Sequence, residues 1–143
     1  MDLSTIVVGV DGSPNSEAAV RWAADLAELV GAEVIAVHAL GLIEPVGPDD
    51  QLVPVESNRA LIEELFGTEW CRALRSRRVR FRTETAHGIP AAVLLDAATR
   101  EGADLLVVGT RGAGIKSRIV IGSTSTEVVR AAHCPVVVVP TPE

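Results

Sequence analysis

Ile6-Val7-Val8-Gly9-Val10-Asp11-Gly12-Ser13-Pro14 joins a short apolar run, rich in β-branched residues, to a helix start. Ser13 is suited to cap a helix that has Pro14 at its first position, where the missing N–H is no loss. The helix is expected to run to Gly31, with Ala19, Trp22, Ala23, Leu26 and Leu29 or Val30 as its apolar stripe. Three more runs of the first kind follow: Val34 to Ala39, Leu105 to Val108 and Val136 to Val139. Continuous apolar runs of this length suit strands covered on both faces. From Val79 to Thr85 the pattern alternates instead, with Val79, Phe81 and Thr83 on one side and Arg80, Arg82 and Glu84 on the other. That is the mark of a half-exposed strand at a sheet edge. Further helices are expected from Ser57 to Arg75 (Leu61, Leu65 and Leu74 inward) and from Pro90 to Gly102 (Val93, Leu94 and Ala97 inward). The last is expected between Gly122 and Pro135, with Val128, Val129 and Ala132 inward. Five strands alternating with four helices imply a doubly wound parallel α/β sheet with right-handed crossovers. Gly41 to Glu56, with Pro45, Pro48 and Pro54, reads as the longest irregular piece.

Composition narrows the function. The 143 residues are 48% hydrophobic and 22% charged, enough to bury a core, and residues 1–143 are expected to form one domain. Aromatics make up 3%, with no Tyr, and the net charge is -6. Single-strand and RNA binding lean on aromatic platforms, and an acidic surface repels phosphate backbones, so no nucleic-acid partner is expected. Cys71 and Cys134 lack a Cys-x-x-Cys partner and read as reduced thiols; His38, His87 and His133 lack metal-ligand spacing. Met1-Asp2-Leu3-Ser4 is not a basic region followed by an apolar stretch, and apolar runs fall short of a membrane span. No membrane association is expected, and a cytoplasmic location is. Six arginines between Arg72 and Arg82 read as the solvated end of a helix and the outer face of an edge strand.

Ligands of open α/β sheets bind beyond the carboxyl ends of the strands, where strand order reverses. One such end reads Val108-Gly109-Thr110-Arg111-Gly112-Ala113-Gly114 and leads on to Gly122-Ser123-Thr124-Ser125. It is not a Walker A loop, because Ile115 stands where the lysine belongs and Lys116 comes one residue late. Nor is it the dinucleotide fingerprint, which would need glycine in place of Ser117. Its glycines nevertheless expose backbone N–H groups at a sharp turn, and Gly122 opens a helix beginning with three hydroxyl residues. Both features suit an anion. Thr124 with Glu127 also fits a capping box, which is a purely structural use of that Thr.

Gly109, two residues, Gly112, nine residues and then Gly122-Ser123 resembles the glycine pattern of the ATP-binding branch of the universal stress protein family. The opening Ile6 to Ser13, His38, Ala103 to Gly109 and the closing Cys134 to Val139 are also similar to that family, so the likeness spans the chain. It implies a Rossmann-like fold, of the adenine nucleotide alpha hydrolase type, with sheet order 3-2-1-4-5 and helices on both faces. It implies ATP, with Mg2+ or Mn2+, between the first and fourth strands. Asp11 would lie near the ribose or a phosphate-bound metal, Gly9 and Ala39 near the adenine, and Val108 beneath it. Gly109, Arg111, Gly112 and Gly114 would wrap the triphosphate and ribose; Gly122, Ser123, Thr124 and Ser125 would hold the outer phosphates. The last strand, Val136 to Val139, would be a homodimer seam. Arg111 departs from the small polar residue or His common there; its guanidinium either helps neutralise phosphate or points to solvent. No residue stands out as a water-positioning base, so a switch with at most slow hydrolysis is expected rather than a catalyst. Two alternatives stay open: a cyclic-AMP-binding relative, and a non-nucleotide dimeric interaction module.

Overall fold

The computed structural model describes residues 2–41, 43–46, 51–110 and 122–141. Along the chain the elements are β1 (Thr5–Gly9), α1 (Pro14–Val30), β2 (Glu33–Leu40), β3 (Ile43–Val46), β4 (Gln51–Pro54), α2 (Val55–Gly67), α3 (Arg72–Ser76), β5 (Phe81–His87), α4 (Pro90–Arg100), β6 (Leu105–Gly109), α5 (Ser123–Ala131) and β7 (Val136–Val139). The main sheet has five strands in the order β5-β2-β1-β6-β7, all neighbours parallel. Counted along the chain this is the expected order 3-2-1-4-5. β1 is central, aligned through Val7↔Ile35 on one side and Val7↔Leu106 on the other. Its Ile6, Val7 and Val8 are fully buried, as a strand covered on both faces must be. Ile6, Val8, Val34, Ala36, Leu105 and Val107 form one core layer with α1 and α3. Val7, Ile35, Val37, Leu106 and Val108 form the other, with Leu94 and Ala97 of α4 and Val128 of α5.

α1 starts and stops as its sequence dictates. Ser13 Oγ accepts from Ser16 N–H at 3.2 Å, Pro14 opens the helix, and Gly31 ends it in the left-handed region. Of the expected stripe, Ala19 and Ala23 are fully buried and Leu26 packs partly on the core, but the bulky members differ. Ala18, Ala19, Ala23, Ala24 and Ala27 are buried, while Trp22 is 38% exposed, Leu29 84% and Val30 also outward. Apart from Val20 the buried apolar residues of α1 are all alanines, as suits a helix set close on a valine-rich sheet that already fills the layer. The approach is closest at Gly109, where an added Cβ would stand 2.7 Å from the Asn15 carbonyl oxygen.

The expected helix from Ser57 to Arg75 is two helices. Gly67 closes α2, Thr68 Oγ1 donates back to the Glu64 carbonyl at 2.6 Å, and Trp70 N–H donates to Leu65 O at 2.9 Å. The turn carries Trp70 inward. Ile62, Phe66 and Leu74 are buried, Leu65 is half-buried, and Leu61, expected inward, is exposed. The stretch expected to be irregular holds the antiparallel pair β3–β4, with Ile43 opposite Pro54 and Pro45 opposite Leu52. A two-stranded ladder has only edge strands, so prolines are tolerated there. In α5 Val128 is buried, Ala132 just beyond it is half-buried, and Val129, expected inward, is 53% exposed.

β5 is an edge strand paired with β2 alone. Val79 and Phe81 pack on the core, whereas Thr83, expected on the same inner face, is exposed. Within the arginine-rich stretch, Arg77 pairs with Asp25 at 2.6 Å and Arg82 with Glu101 at 2.5 Å. Exposed pairs of this kind contribute about 0–1 kcal/mol each. Among the described residues no helix is long and apolar enough to cross a membrane. Cys71 lies in the α1 layer and Cys134 against the α4–α5 layer, so the sheet separates the two thiols.

Two outcomes follow from this packing. Gly109→Ala should lower stability by about 1–3 kcal/mol, because a backbone atom of α1 must move to admit the methyl group; chemical denaturation measures it, and an unchanged midpoint would contradict the close approach. Burial pushes the Cys71 thiol from 9.0 up to about 12. The unfolded chain therefore loses this proton first, so the thiol's contribution is intact below about pH 9 and declines from there to about pH 12. The chain has no Tyr and one Lys, so the main other titration in that window is the second thiol, Cys134, whose proton burial and then the Asp104 carboxylate also hold more tightly. The urea midpoint should stay flat up to about pH 8.5 and then fall; Cys71→Ala should lessen the fall and leave the part that Cys134 contributes.

Candidate functional site

β1 has β2 on one side and β6 on the other, so strand order reverses between β1 and β6 and a crevice opens beyond their carboxyl ends. The β1–α1 turn forms one wall. Val10 N–H donates to Val37 O at 2.9 Å, which prolongs the β1–β2 pairing, and the chain then bends at Gly12, φ +82. Asp11 Oδ1 accepts from Ser13 N–H at 2.9 Å and from Ser13 Oγ at 2.5 Å, while Asp11 N–H donates to Ser16 Oγ at 3.0 Å. These bonds shape the turn and place a half-buried carboxylate at its apex. Behind the turn, His38 Nδ1 lies 2.7 Å from Val10 O. A carbonyl only accepts, so this nitrogen carries the proton.

The floor is apolar and small. In register, Gly9 stands beside Val37, and Val8 beside Val107, which brings Gly9 level with Val108. Gly9, Ala39 and Val108 share the sheet face turned toward α4, where Gly9 lies against Leu94. Val108 is buried and Ala39 half-buried. The three residues expected around a base thus lie on one surface.

The opposite wall begins where β6 ends. Thr110 N–H donates to Val139 O at 3.2 Å and its Oγ1 donates to Asn15 Oδ1 at 3.3 Å. Its carbonyl accepts from Gly122 N–H at 2.6 Å, and Ser125 Oγ lies 3.0 Å from it and 3.1 Å from Gly122 O. Gly122 is the N-cap of α5 and supplies no side-chain cap. Thr124 therefore sits inside the first turn, which corrects the capping-box expectation. The first intrahelical bond runs from Thr126 N–H to Gly122 O, so the amides of Ser123, Thr124 and Ser125 precede the hydrogen-bonded ladder. Ser123 is exposed, Thr124 half-buried, and Ser125 is buried with its hydroxyl turned toward β6.

Asp11, Gly9, Ala39, Val108, Gly109 and the Gly122–Ser125 helix start all stand at this one edge of the sheet. Arg111, Gly112 and Gly114 lie outside the described residues. Among the described residues no group of three or more His, Cys, Asp or Glu is assembled to hold a metal. The sequence pattern gives no role to Asn15 and Thr110, which tie the first turn to the α5 start, or to Ser16, which holds the turn itself. For Asn15 and Ser16 the signal is a polar run, Ser13-Pro14-Asn15-Ser16, on what becomes a buried helix end.

Comparison with known proteins agrees with this fold. The model of the universal stress protein family matches residues 3–140. A universal stress protein of Methanocaldococcus jannaschii is 35% identical over 145 residues, covering 96% of this chain and 82% of its own. The chain spans under half the length of several mycobacterial relatives, 46% in one from Mycobacterium tuberculosis. Among solved structures, a universal stress protein in complex with cAMP superposes with a TM-score of 0.74 at 27% identity, covering 99% of this chain and 100% of that one. One from Archaeoglobus fulgidus in complex with dAMP gives 0.67 at 26% identity, covering 97% and 99%. The chain belongs to the universal stress protein family.

Proposed function

We propose that this protein binds ATP at the β1–β6 crevice and acts as a nucleotide-dependent regulatory switch of the stress response, in the cytoplasm, with residues 1–143 forming one universal stress protein domain. The observation that carries the reading is the α5 start. Its first amides and hydroxyls lack a side-chain cap and are held to the end of β6 through Thr110. A helix start of this kind attracts phosphate through its N–H groups and its dipole. The cAMP and dAMP complexes of structural relatives add support for an adenine nucleotide.

Each residue then has a physical part. Gly9, Ala39 and Val108 offer the base an aliphatic surface, since an aromatic platform is lacking in their row. Gly122, Ser123 and Thr124 receive phosphate oxygens, and contact with the triphosphate and ribose is the role assigned to Arg111, Gly112 and Gly114. Ser125 braces the helix start from beneath. Asp11 supplies one hard oxygen ligand for Mg2+ or Mn2+, which suits a cation that takes most of its ligands from phosphates and water. Such a cation would neutralise phosphate charge. Because Asp11 is already engaged with Ser13 to shape the turn, holding the nucleotide fits the site better than rapid turnover, and hydrolysis is at most slow.

A second reading, preference for cyclic AMP, is favoured by the relative solved with that ligand. A non-nucleotide interaction module remains the alternative if the crevice takes neither. We also assign β7 as a homodimer seam. Pro135 and Val139 turn their carbonyls to β6, so Val136 and Val138 turn their backbone groups to the open edge. An apolar strand with a free edge invites pairing with a copy of itself.

Denatured pure protein should release an adenine nucleotide identifiable by chromatography. Titration calorimetry of nucleotide-free protein should show Mg-ATP binding that Gly122→Ala or Gly112→Ala weakens about tenfold, the effect of losing roughly 1.4 kcal/mol. Unaltered binding by both variants would refute the site, and competition with cyclic AMP ranks the two ligands. Val138→Pro, which removes an edge donor without touching the β6 ladder, should turn a dimer into a folded monomer in light scattering. A dimer that persists would exclude this seam.

A further inference from the structure

We propose that Trp70, backed by His38, is a positioning residue for Asp11, acting on the candidate site from the far side of the β1–α1 turn. The inference rests on the nucleotide reading above. Trp70 belongs to the turn between α2 and α3, well away from the crevice in sequence. An added Cβ on Gly12 would stand 2.5 Å from its Cε2, 2.6 Å from Cζ2 and 2.9 Å from Nε1. The indole therefore lies directly on the Gly12 α-carbon, and the left-handed φ of +82 at that position excludes other residues a second time. His38 meets the same ring edge-on, with centroids 5.1 Å apart and planes at 69°, while its Nδ1–H holds Val10 O at 2.7 Å. Phe66 closes the group from 5.7 Å.

Val10, Asp11 and Gly12 are consecutive, and each is fixed by a different contact. His38 holds the carbonyl before Asp11, Trp70 presses on the residue after it, and Ser13 and Ser16 hold Asp11 itself. A carboxylate on a turn restrained at three points loses little freedom when it meets a ligand, which is what a group orienting it from behind contributes. Shrinking the ring frees Gly12 to rotate and moves Asp11 without touching the crevice. A plain packing role, filling the space between Leu40 and Ile62, would instead affect stability alone.

The chain has two tryptophans, and Trp22 is a surface residue, so Trp22→Phe isolates the Trp70 signal in the full-length protein. Its emission should change with Mg-ATP and saturate at the calorimetric Kd, while Trp70→Phe, retaining Trp22, should show no change. In calorimetry Trp70→Leu should weaken Mg-ATP about tenfold in the wild-type background and less than about twofold in Asp11→Asn, because it acts through that carboxylate. Trp70→Phe should bind within about threefold of wild type, since a ring still covers Gly12. Equal losses in both backgrounds, or a Trp22→Phe emission unmoved at saturation, would overturn the positioning role while leaving the nucleotide reading intact. Absence of binding by the wild type would overturn both. If Trp70→Leu does not fold, the emission of Trp22→Phe decides alone.

Discussion

The carboxyl edge of this protein depends on how closely α1 is seated on β1 and β6. The seat is lined with Ala19, Ala23 and Ala27, which contribute little burial energy individually and serve to set the distance. The valines and leucines of the sheet supply the apolar area. At the end of this contact Gly109 admits the Asn15 carbonyl, and the same Asn15 reaches Thr110 through its side chain. Thr110 in turn fixes Gly122 and Ser125. A helix held one methyl group further away would lose the Asn15 bond first, and with it the register between the two walls of the crevice. Ordinary core packing and the geometry of the site are one constraint.

That constraint explains what could be read from residues and what could not. Strands were legible because apolar runs such as Val34 to Ala39 have one physical use at that length. The orientation of α1 was not, because periodicity ranks residues by hydrophobicity while a close seat selects them by size. Trp22 and Leu29 lost to alanines for that reason. The division of α2 from α3 was hidden likewise. Gly67 is a weak local signal, and the turn is stabilised by where Trp70 goes, against Gly12 and His38, some sixty and thirty residues away. The layout of the candidate site was legible where local chemistry decides, as in the glycine at the end of β6 and the hydroxyl residues that open α5. It was illegible where partners meet only in three dimensions, as with Asn15 and Thr110.

The two helix starts at this edge differ in how far their polar groups are used by the fold itself. At α1, Ser13 caps the first turn and Asp11 accepts from Ser13, so negative and polar atoms of the chain itself already occupy the positive end. At α5 the cap is a glycine without a side chain to offer. The Ser125 hydroxyl turns back to carbonyls beneath it. Serine and threonine are abundant at both ends, yet at one they are consumed by the fold and at the other only Ser125 is. Counting hydroxyls in the sequence would not separate the two.

The distribution of the few aromatics sharpens the same conclusion. Phe66 and Trp70 gather with His38 behind the β1–α1 turn, where they stiffen backbone, and Gly9, Ala39 and Val108 are left to face the crevice. A ligand there meets aliphatic surface on one side and amides on the other. With a net charge of -6 the protein as a whole repels a polyphosphate at long range. That repulsion is screened over a Debye length of about 8 Å at physiological salt, whereas the α5 amides act at contact. On the nucleotide reading proposed above, recognition would therefore be local and geometric, set by the rigidity of the walls more than by the field of the molecule.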